Sequence, residues 1–410
     1  MTIQNDICII GNGAIGKAAA LGLAQTGASV TLIDTKQSAQ TLAAPSFSAA
    51  PEPTAPVNSW DARVYALNPL ARTLLTKLKV WNALDTSRVT PVEAMVVKGD
   101  DIARSAEVSF DAYSAREEAL AWIVEDSNLS KALDAALNFA SNIRLVRATI
   151  SSTAVDDAGI TVELADSAHV RAALLVGADG AHSWVRSQAG IDLDYRTYGQ
   201  HAVVANFSTT LPHHGTAYQW FTHSEGIVAL LPLSGHRVSL VWSAPDSLAE
   251  LLAGDSLDAL ATRLTALSDG VLGTLAPLAS GVIKSIPLSM IRPHAIIASR
   301  VALVGDAAHV IHPLAGQGMN LGFGDVDALM RAVANRGPHR DCGDPRILSR
   351  YSRERKENIL LAHLATDGLQ RLFATDIEPI RMARNIGLNL VNQLPVVKRL
   401  LVAHALGNRT

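Results

Sequence analysis

An α/β fold built on a Rossmann-like dinucleotide-binding sheet is predicted by three segments in which an apolar strand runs into a glycine-rich or acidic turn and then a helix. They begin near positions 7, 174 and 301 of the 410-residue chain, and between the second and third the hydrophobic period switches to two. The chain is therefore expected to interleave a nucleotide-binding domain with a second domain built on a mixed or antiparallel sheet. Helical patterning from residue 341 onward adds a C-terminal helical region.

The first segment runs Ile7, Cys8, Ile9, Ile10 and then Gly11-Asn12-Gly13-Ala14-Ile15-Gly16. A helix of small and apolar residues follows over 14–26, with Gly27 as its C-cap, and a second strand over 29–33 is closed by Asp34. In this fingerprint the glycines permit the tight turn, the close approach of a pyrophosphate and helix–strand packing. The acid about 20 residues on meets ribose hydroxyls. Gly11, Gly13, Ala14, Ile15, Gly16 and Asp34 are thus candidate cofactor-binding residues. A carboxylate at 34 disfavours a 2′-phosphate, so the nucleotide is ADP-ribose-like, as in NAD or FAD.

The last segment follows an apolar run over 301–304 and reads Gly305-Asp306-Ala307-Ala308-His309-Val310-Ile311-His312-Pro313-Leu314-Ala315-Gly316-Gln317-Gly318-Met319-Asn320. Asp306, directly after a strand, can accept hydrogen bonds from a sugar or polyol chain. The turn beyond it exposes backbone N–H groups at a helix start, where negative charge is favoured. Gly305, Asp306, Gly316, Gly318, Met319 and Asn320 join the candidate set. The middle segment, Leu174 through Gly177-Ala178-Asp179-Gly180 to Arg186, contributes Asp179. Three such sites suit a long, bent cofactor better than NAD.

In order and spacing these motifs resemble those of the FAD-dependent aromatic hydroxylases, the single-component flavoprotein monooxygenases. The match extends to Asp61-Ala62-Arg63-Val64-Tyr65-Ala66-Leu67, where the resemblance puts Arg63 on the FAD pyrophosphate. The tail, with Arg350-Tyr351-Ser352-Arg353-Glu354-Arg355, Thr366-Asp367-Gly368-Leu369, Leu372-Phe373 and Arg384-Asn385-Ile386-Gly387-Leu388, is similar to the ubiquinone-biosynthesis hydroxylases. The resemblance covers nearly the whole chain and is weakest over 35–60. Asp34 departs from the Glu more usual in the family, which shortens the reach but keeps the charge.

The resemblance implies FAD as cofactor, NADPH or NADH (or a redox partner) as transient reductant, and O2 as co-substrate. It implies hydroxylation of a lipophilic, polyprenylated phenol through a flavin C4a-hydroperoxide, the hard chemistry belonging to the cofactor. Pro313 aligns with a family proline beside the ring, and the turn Gly316-Gln317-Gly318 suits the N1/C2=O end of the flavin. Pro313 and Gln317 are therefore the candidate catalytic, flavin-proximal residues. No general base stands out, although His182, His309 and His312 lie in the relevant turns. Two other readings remain: another flavoenzyme of this fold, such as a prenyl reductase or a hydroxylase of a different aromatic, and a non-catalytic FAD-bearing subunit of a quinone-biosynthesis complex. A halogenase is not supported, because no W-x-W-x-I-P pattern occurs.

Composition agrees. A hydrophobic fraction of 48% with 18% charged residues excludes general disorder, and a formal net charge of -3 carries no nucleic-acid footprint. Two cysteines make no disulfide framework and fit a reducing cytoplasm. No metal-ligand, serine-hydrolase or signal-peptide pattern occurs, and a soluble protein, or one peripheral to the inner face of the membrane, is expected. A second G-x-G-x-x-G is absent, so no separate NAD(P)H domain is expected; His182 and Arg186 are candidates for meeting the donor in a groove.

The expected division is 1–80, 111–190 and 282–340 for the FAD-binding domain, 81–110 and 191–281 for the substrate domain, and 341–410 for the C-terminal region. Residues 43–58, rich in Ala, Pro and Ser, read as a surface loop. Residues 68–78 and 128–139 read as helices, the second N-capped by Asn128, and His213-His214 as an exposed turn. Tyr218, Trp220, Phe221 and Trp242 fall in the sheet, either lining a ring pocket or filling a core. From residue 340 on, twelve Lys/Arg face seven Asp/Glu, and 394–406 is strongly apolar around Lys398-Arg399. That stretch either packs on its own domain or makes a peripheral membrane or partner contact.

Overall fold

The computed structural model describes residues 2–35, 60–99, 107–222, 224–279, 281–313 and 316–374. The predicted loop 43–58 and the apolar, basic stretch 394–406 lie outside them.

The first sheet holds five parallel strands in the order Val301–Leu303, His169–Gly177, Thr2–Ile10, Val30–Asp34, Ile143–Arg147. The chain leaves Thr2–Ile10 on one side, through the helix Ala14–Ala24, and returns on its other side at His169–Gly177. A reversal of strand order opens a crevice at the carboxyl ends of the strands. Ile7, Ile9, Leu32, Leu174 and Val176 are fully buried, because helices cover a parallel sheet. The Ala-rich helix Ala14–Ala24 packs closely against Gln317–Ala334: a Cβ on Gly22 would lie 3.1 Å from the Met330 sulfur.

The second sheet runs Leu275–Pro277, Leu193–Thr209, Arg237–Pro245, Gly226–Leu233, Thr216–Thr222, Ala94–Lys98, Glu107–Asp111. It is mixed: Thr216–Thr222 and Ala94–Lys98 are parallel, whereas their neighbours pair antiparallel. One face, with Val203, Phe207, Leu230, Leu240 and Trp242, is buried together with residues of Asp246–Gly254 and Leu257–Leu267. Trp220, Trp242 and Tyr218 belong to this core, so of the two readings for these aromatics the packing one holds.

Several expectations are corrected. Residues 282–288 do not return the chain to the first domain; Lys284–Pro293 pairs along Leu193–Thr209, and the return is made by Ile297–Ala298 and Val301–Leu303. Val89–Val92 joins Ala121–Glu125 and Val64–Leu67 in a small third sheet rather than the substrate sheet. The boundary at 341 cuts one core: Ile347, Leu348 and Tyr351 of the helix Pro345–Ala374 are buried with the first sheet, and the Tyr351 hydroxyl donates to the Leu303 carbonyl at 2.6 Å. Asn128 is not an N-cap, because its helix starts at Asp126; its amide instead bridges the backbone of Asp85. Asn68 is one, accepting from the Ala71 amide at 2.9 Å. His213 is buried, with Nε2 2.8 and 2.9 Å from the Leu233 and Gly235 carbonyls that close the facing turn.

Candidate active site

Four turns meet at the carboxyl ends of the parallel strands, and backbone hydrogen bonds continue the sheet into them. Gly11 donates to the Ile33 carbonyl, Ala178 to Ile10 and Val304 to Gly177, at 2.8–3.0 Å. The contact is so close that a Cβ on Gly11, whose φ is +116°, would lie 2.2 Å from the Ala178 carbonyl oxygen. A Cβ on Gly16 would lie 1.9 Å from the Gly11 carbonyl. Ile15 wedges between the Gly305 turn and the helix Gln317–Ala334, since a Cβ on Gly305 or on Gly322 would meet its side chain at 3.1 or 2.8 Å. Its side chain therefore packs the crevice wall and leaves its amide as the group for a ligand.

Two helices begin at this crevice without side-chain caps: Ala14–Ala24 after Gly13, and Gln317–Ala334 after Gly316, which adopts φ 64°. Uncapped N-terminal amides favour negative charge. Cβ atoms on Gly13 and Gly318 would meet nothing within 4 Å, so a ligand can lie flat against both turns. Asp34 ends its strand half-buried, with the exposed Arg147 3.6 Å away. Asp306 lies at the crevice floor, open to solvent yet crowded by protein, and that crowding raises its carboxyl above the ordinary range. Arg63 is exposed, close enough to Asp306 to oppose that rise. Its backbone is fixed by Asp61 at 3.0 Å and by the Asp126 amide at 3.0 Å, and the buried Glu125 holds Asp61 and Arg88.

Other predicted residues act through the scaffold. The Asp179 carboxylate accepts from the Ser183 hydroxyl at 2.5 Å and the Val185 amide at 3.1 Å, although burial outweighs these bonds and raises its pKa. Asn320 accepts from the Asn68 amide and donates to the Ala66 carbonyl, tying its helix to Val64–Leu67. Arg186 is buried and donates to the Ala307 and Ala181 carbonyls, a brace between two turns rather than a free cation for a donor nucleotide. His182 is exposed.

Sequence reasoning missed the ionic support beneath the Gly305 turn. Asp325 is fully buried and accepts from the Gly305 amide at 2.9 Å, from His309 Nε2 at 2.7 Å and from Arg355 Nε at 2.7 Å. Burial alone would raise its carboxyl, but His309 and Arg355 outweigh it and hold the pKa below the ordinary range. The signal was present: an acid on the apolar face of an amphipathic helix needs a buried cation.

At the far end of the crevice His312 is fully buried, with Nε2 3.0 Å from Gln200 Oε1 of the second sheet. Burial pushes its pKa down to about 4, so its imidazole is neutral near pH 7. Pro313 follows it, half-buried, and Gln317, Gly318 and Met319 are half-buried at the turn beyond. The second sheet thus touches the segment that carries Pro313, one of the two candidate flavin-proximal residues.

The uncapped amides, the open glycine turns and the acids at the strand ends fit an extended dinucleotide. A family model described as "FAD binding domain" matches residues 129–362. The chain belongs to the ubiquinone-biosynthesis FAD-dependent hydroxylases. It is 33% identical to the ubiquinone hydroxylase UbiL of Rhodospirillum rubrum, covering 98% of this chain and 89% of that one. It is also 33% identical to the 3-demethoxyubiquinol 3-hydroxylase of Escherichia coli, covering 99% and 100%. Among solved structures, p-nitrophenol 4-monooxygenase PnpA from Pseudomonas putida superimposes with a TM-score of 0.74 at 18% identity over the full length of both chains, which shows the fold. Membership makes the protein an FAD-dependent aromatic hydroxylase. Gly11, Gly13, Gly16, Asp34, Arg63, Asp306 and the amides at 317–319 are its candidates for holding FAD.

Proposed function

We propose that this hydroxylase acts on the ring of a polyprenylated phenol on the path to ubiquinone. The observation that carries the reading is similarity along nearly the whole chain to two curated ubiquinone-pathway hydroxylases. When bound, reduced FAD supplies the activated dioxygen for transfer to the ring, with NAD(P)H or a redox partner as the electron source.

The protein's own part is binding, orientation and exclusion of water. Asp34 would receive the ribose hydroxyls, the amides after Gly13 together with Arg63 the pyrophosphate, and Asp306 the ribityl chain. The amides after Gly316 would stabilise negative charge at the pyrimidine end of the flavin. Pro313 and Gln317 stand beside that turn as the residues bordering the reacting ring. Proton removal is not assigned to His312: an imidazole with a pKa of about 4 is too weak a base for a phenol but remains a hydrogen-bonding group. His309 is committed to Asp325.

A polyprenyl substrate resides in the bilayer, so the enzyme meets it at a membrane surface or receives it within a quinone-biosynthesis complex. No helix among the described residues is long and apolar enough to cross a membrane. Leu360, Leu361 and Leu364 of the helix Pro345–Ala374 are exposed, which supports contact through the C-terminal region.

Complementation of hydroxylase-deficient, quinone-requiring cells, with the accumulating intermediate identified by mass spectrometry, tests the reading. Restored quinone and loss of one intermediate lacking a single ring hydroxyl are expected. Failure to restore quinone, with that intermediate still accumulating although the protein is expressed with FAD bound, would indicate the non-catalytic subunit instead.

A further inference from the structure

The face of the second sheet opposite its helices carries a row that neither the fold nor the cofactor uses. Strand alternation puts Gln200, Ala202, Val204 and Asn206 on this face. It is pinned at two ends. Asn206 Nδ2 donates to the Asp61 carbonyl at 2.8 Å, and Gln200 meets His312 at 3.0 Å. Between these clamps, Val204, Val241, Ala229 and Gln219 lie side by side in register across four strands. Val241 and Ala229 are only half-buried although they sit in the middle of an eight-stranded sheet, as residues facing a cleft do.

The neighbouring row locates the cleft. Leu231 and Ala217, two residues from Ala229 and Gln219, pack in one cluster with Val64 and Ala66. Ala66 is the residue that a Cβ on Gly316 would touch at 3.2 Å, so the row containing Gln219 lies one pleat, about 7 Å, from a row whose cluster packs against the Gly316 turn. This row is apolar except for Gln219, with Ser239 and Ser243 on the same face in the rows to either side. Gln219 is 6% exposed, and its side-chain amide makes no hydrogen bond among the described residues while staying open to the cleft. A near-buried amide without a protein partner must take its partner from what enters the cleft, water or a ligand.

We propose that Gln219 is the specificity-determining residue for the ring, its amide hydrogen-bonding an oxygen substituent of the phenolic substrate and so setting which ring carbon faces the flavin. The inference rests on the phenol-hydroxylase reading and adds the residue that reads the ring. A glutamine offers both a donor and an acceptor, so it serves a hydroxyl, a methoxy or a carbonyl oxygen. Val204, Val241 and Ala229 supply a flat apolar bed of small side chains on which an aromatic ring can lie.

The test compares wild type and Gln219→Leu, both FAD-loaded. The probes are a short-chain prenylated phenol and the same molecule with its ring hydroxyl replaced by hydrogen. Binding is read from the flavin absorbance change, and turnover from product analysis. The wild type should favour the hydroxylated ring by about ten-fold in affinity, and Gln219→Leu should abolish that preference and yield a mixture of ring positions, with FAD content and melting temperature unchanged. Gln219→Met, unbranched and of similar length, repeats the measurement if the Leu variant loses FAD. A variant that retains both the wild-type preference and a single product overturns the role of Gln219 while leaving the hydroxylase reading intact. A wild type that binds neither probe overturns both.

Discussion

The crevice at the ends of the parallel strands and the cleft face of the second sheet lie next to each other but are built by different means. The crevice is made of backbone: amides at two uncapped helix starts, glycines packed so closely that an added Cβ on Gly11 would lie 2.2 Å from a carbonyl oxygen, and a few acids at strand ends. The cleft is made of side chains drawn from four strands, Val204, Val241, Ala229 and Gln219, brought into one row only by register. A backbone site tolerates almost no change at its glycines yet is indifferent to which phenol is hydroxylated. A side-chain floor can change its ligand without disturbing the fold. Cofactor binding and ring selection should therefore be separable by mutation.

The largest effect is expected at the ionic support under the crevice. Asp325→Ala leaves Arg355 buried without its carboxylate and the Gly305 amide without its acceptor, and should cost about 3–5 kcal/mol of stability in chemical denaturation. An unchanged denaturation midpoint would mean that the crevice does not depend on this pair.

Next comes the backbone itself. Gly11→Ala forces a Cβ against Ala178 in a left-handed conformation and should cost about 2–5 kcal/mol, with FAD lost from the purified protein. Retention of stoichiometric FAD would show that the two turns can move apart.

Asp306→Ala should separate binding from folding. The carboxylate is exposed at the crevice floor, so the melting temperature of the apoprotein should stay within a few degrees. FAD affinity should fall by the worth of a charge-assisted hydrogen bond, about 1.5–3 kcal/mol, read by titration of apoprotein with FAD. Equal affinity in variant and wild type would remove Asp306 from the cofactor site.

The smallest effect concerns pH. Burial lowers His312 and His363 to about 4, below their ordinary value of 6.5. Between those values the unfolded chain binds more protons than the folded one, so their contribution to stability is complete above pH 6.5 and declines as pH falls toward 4. The slope reaches at most about 1.4 kcal/mol per pH unit for each histidine. Denaturation midpoints at pH 7 and pH 5 should differ for the wild type, and His363→Gln should reduce the difference.

The same contrast explains what could be read from the sequence. Gly11, Gly13, Gly16, Asp34, Asp306 and Gly316 announce themselves because each turn is continuous in sequence and its residue types follow from local geometry. The two-residue period over 199–243 likewise marked the second sheet. What stayed hidden depends on partners far away in the chain. The assignment of Lys284–Pro293 to the second sheet is a matter of which edge it finds, and the Asp325–Arg355 pair spans two helices. Gln219 looked like any polar residue in an alternating strand until register put it on the cleft face. The burial of His213 was hidden for the same reason: only the facing turn supplies its two carbonyls.

The most direct test of the central claim is turnover of the purified, FAD-loaded full-length protein on a short-chain prenylated phenol under 18O2, with an electron donor supplied. The product should gain one ring hydroxyl bearing the heavy oxygen, and Asp306→Ala stripped of FAD should form none. Heavy oxygen absent from the product, or hydroxylation undiminished in protein without FAD, would contradict the account.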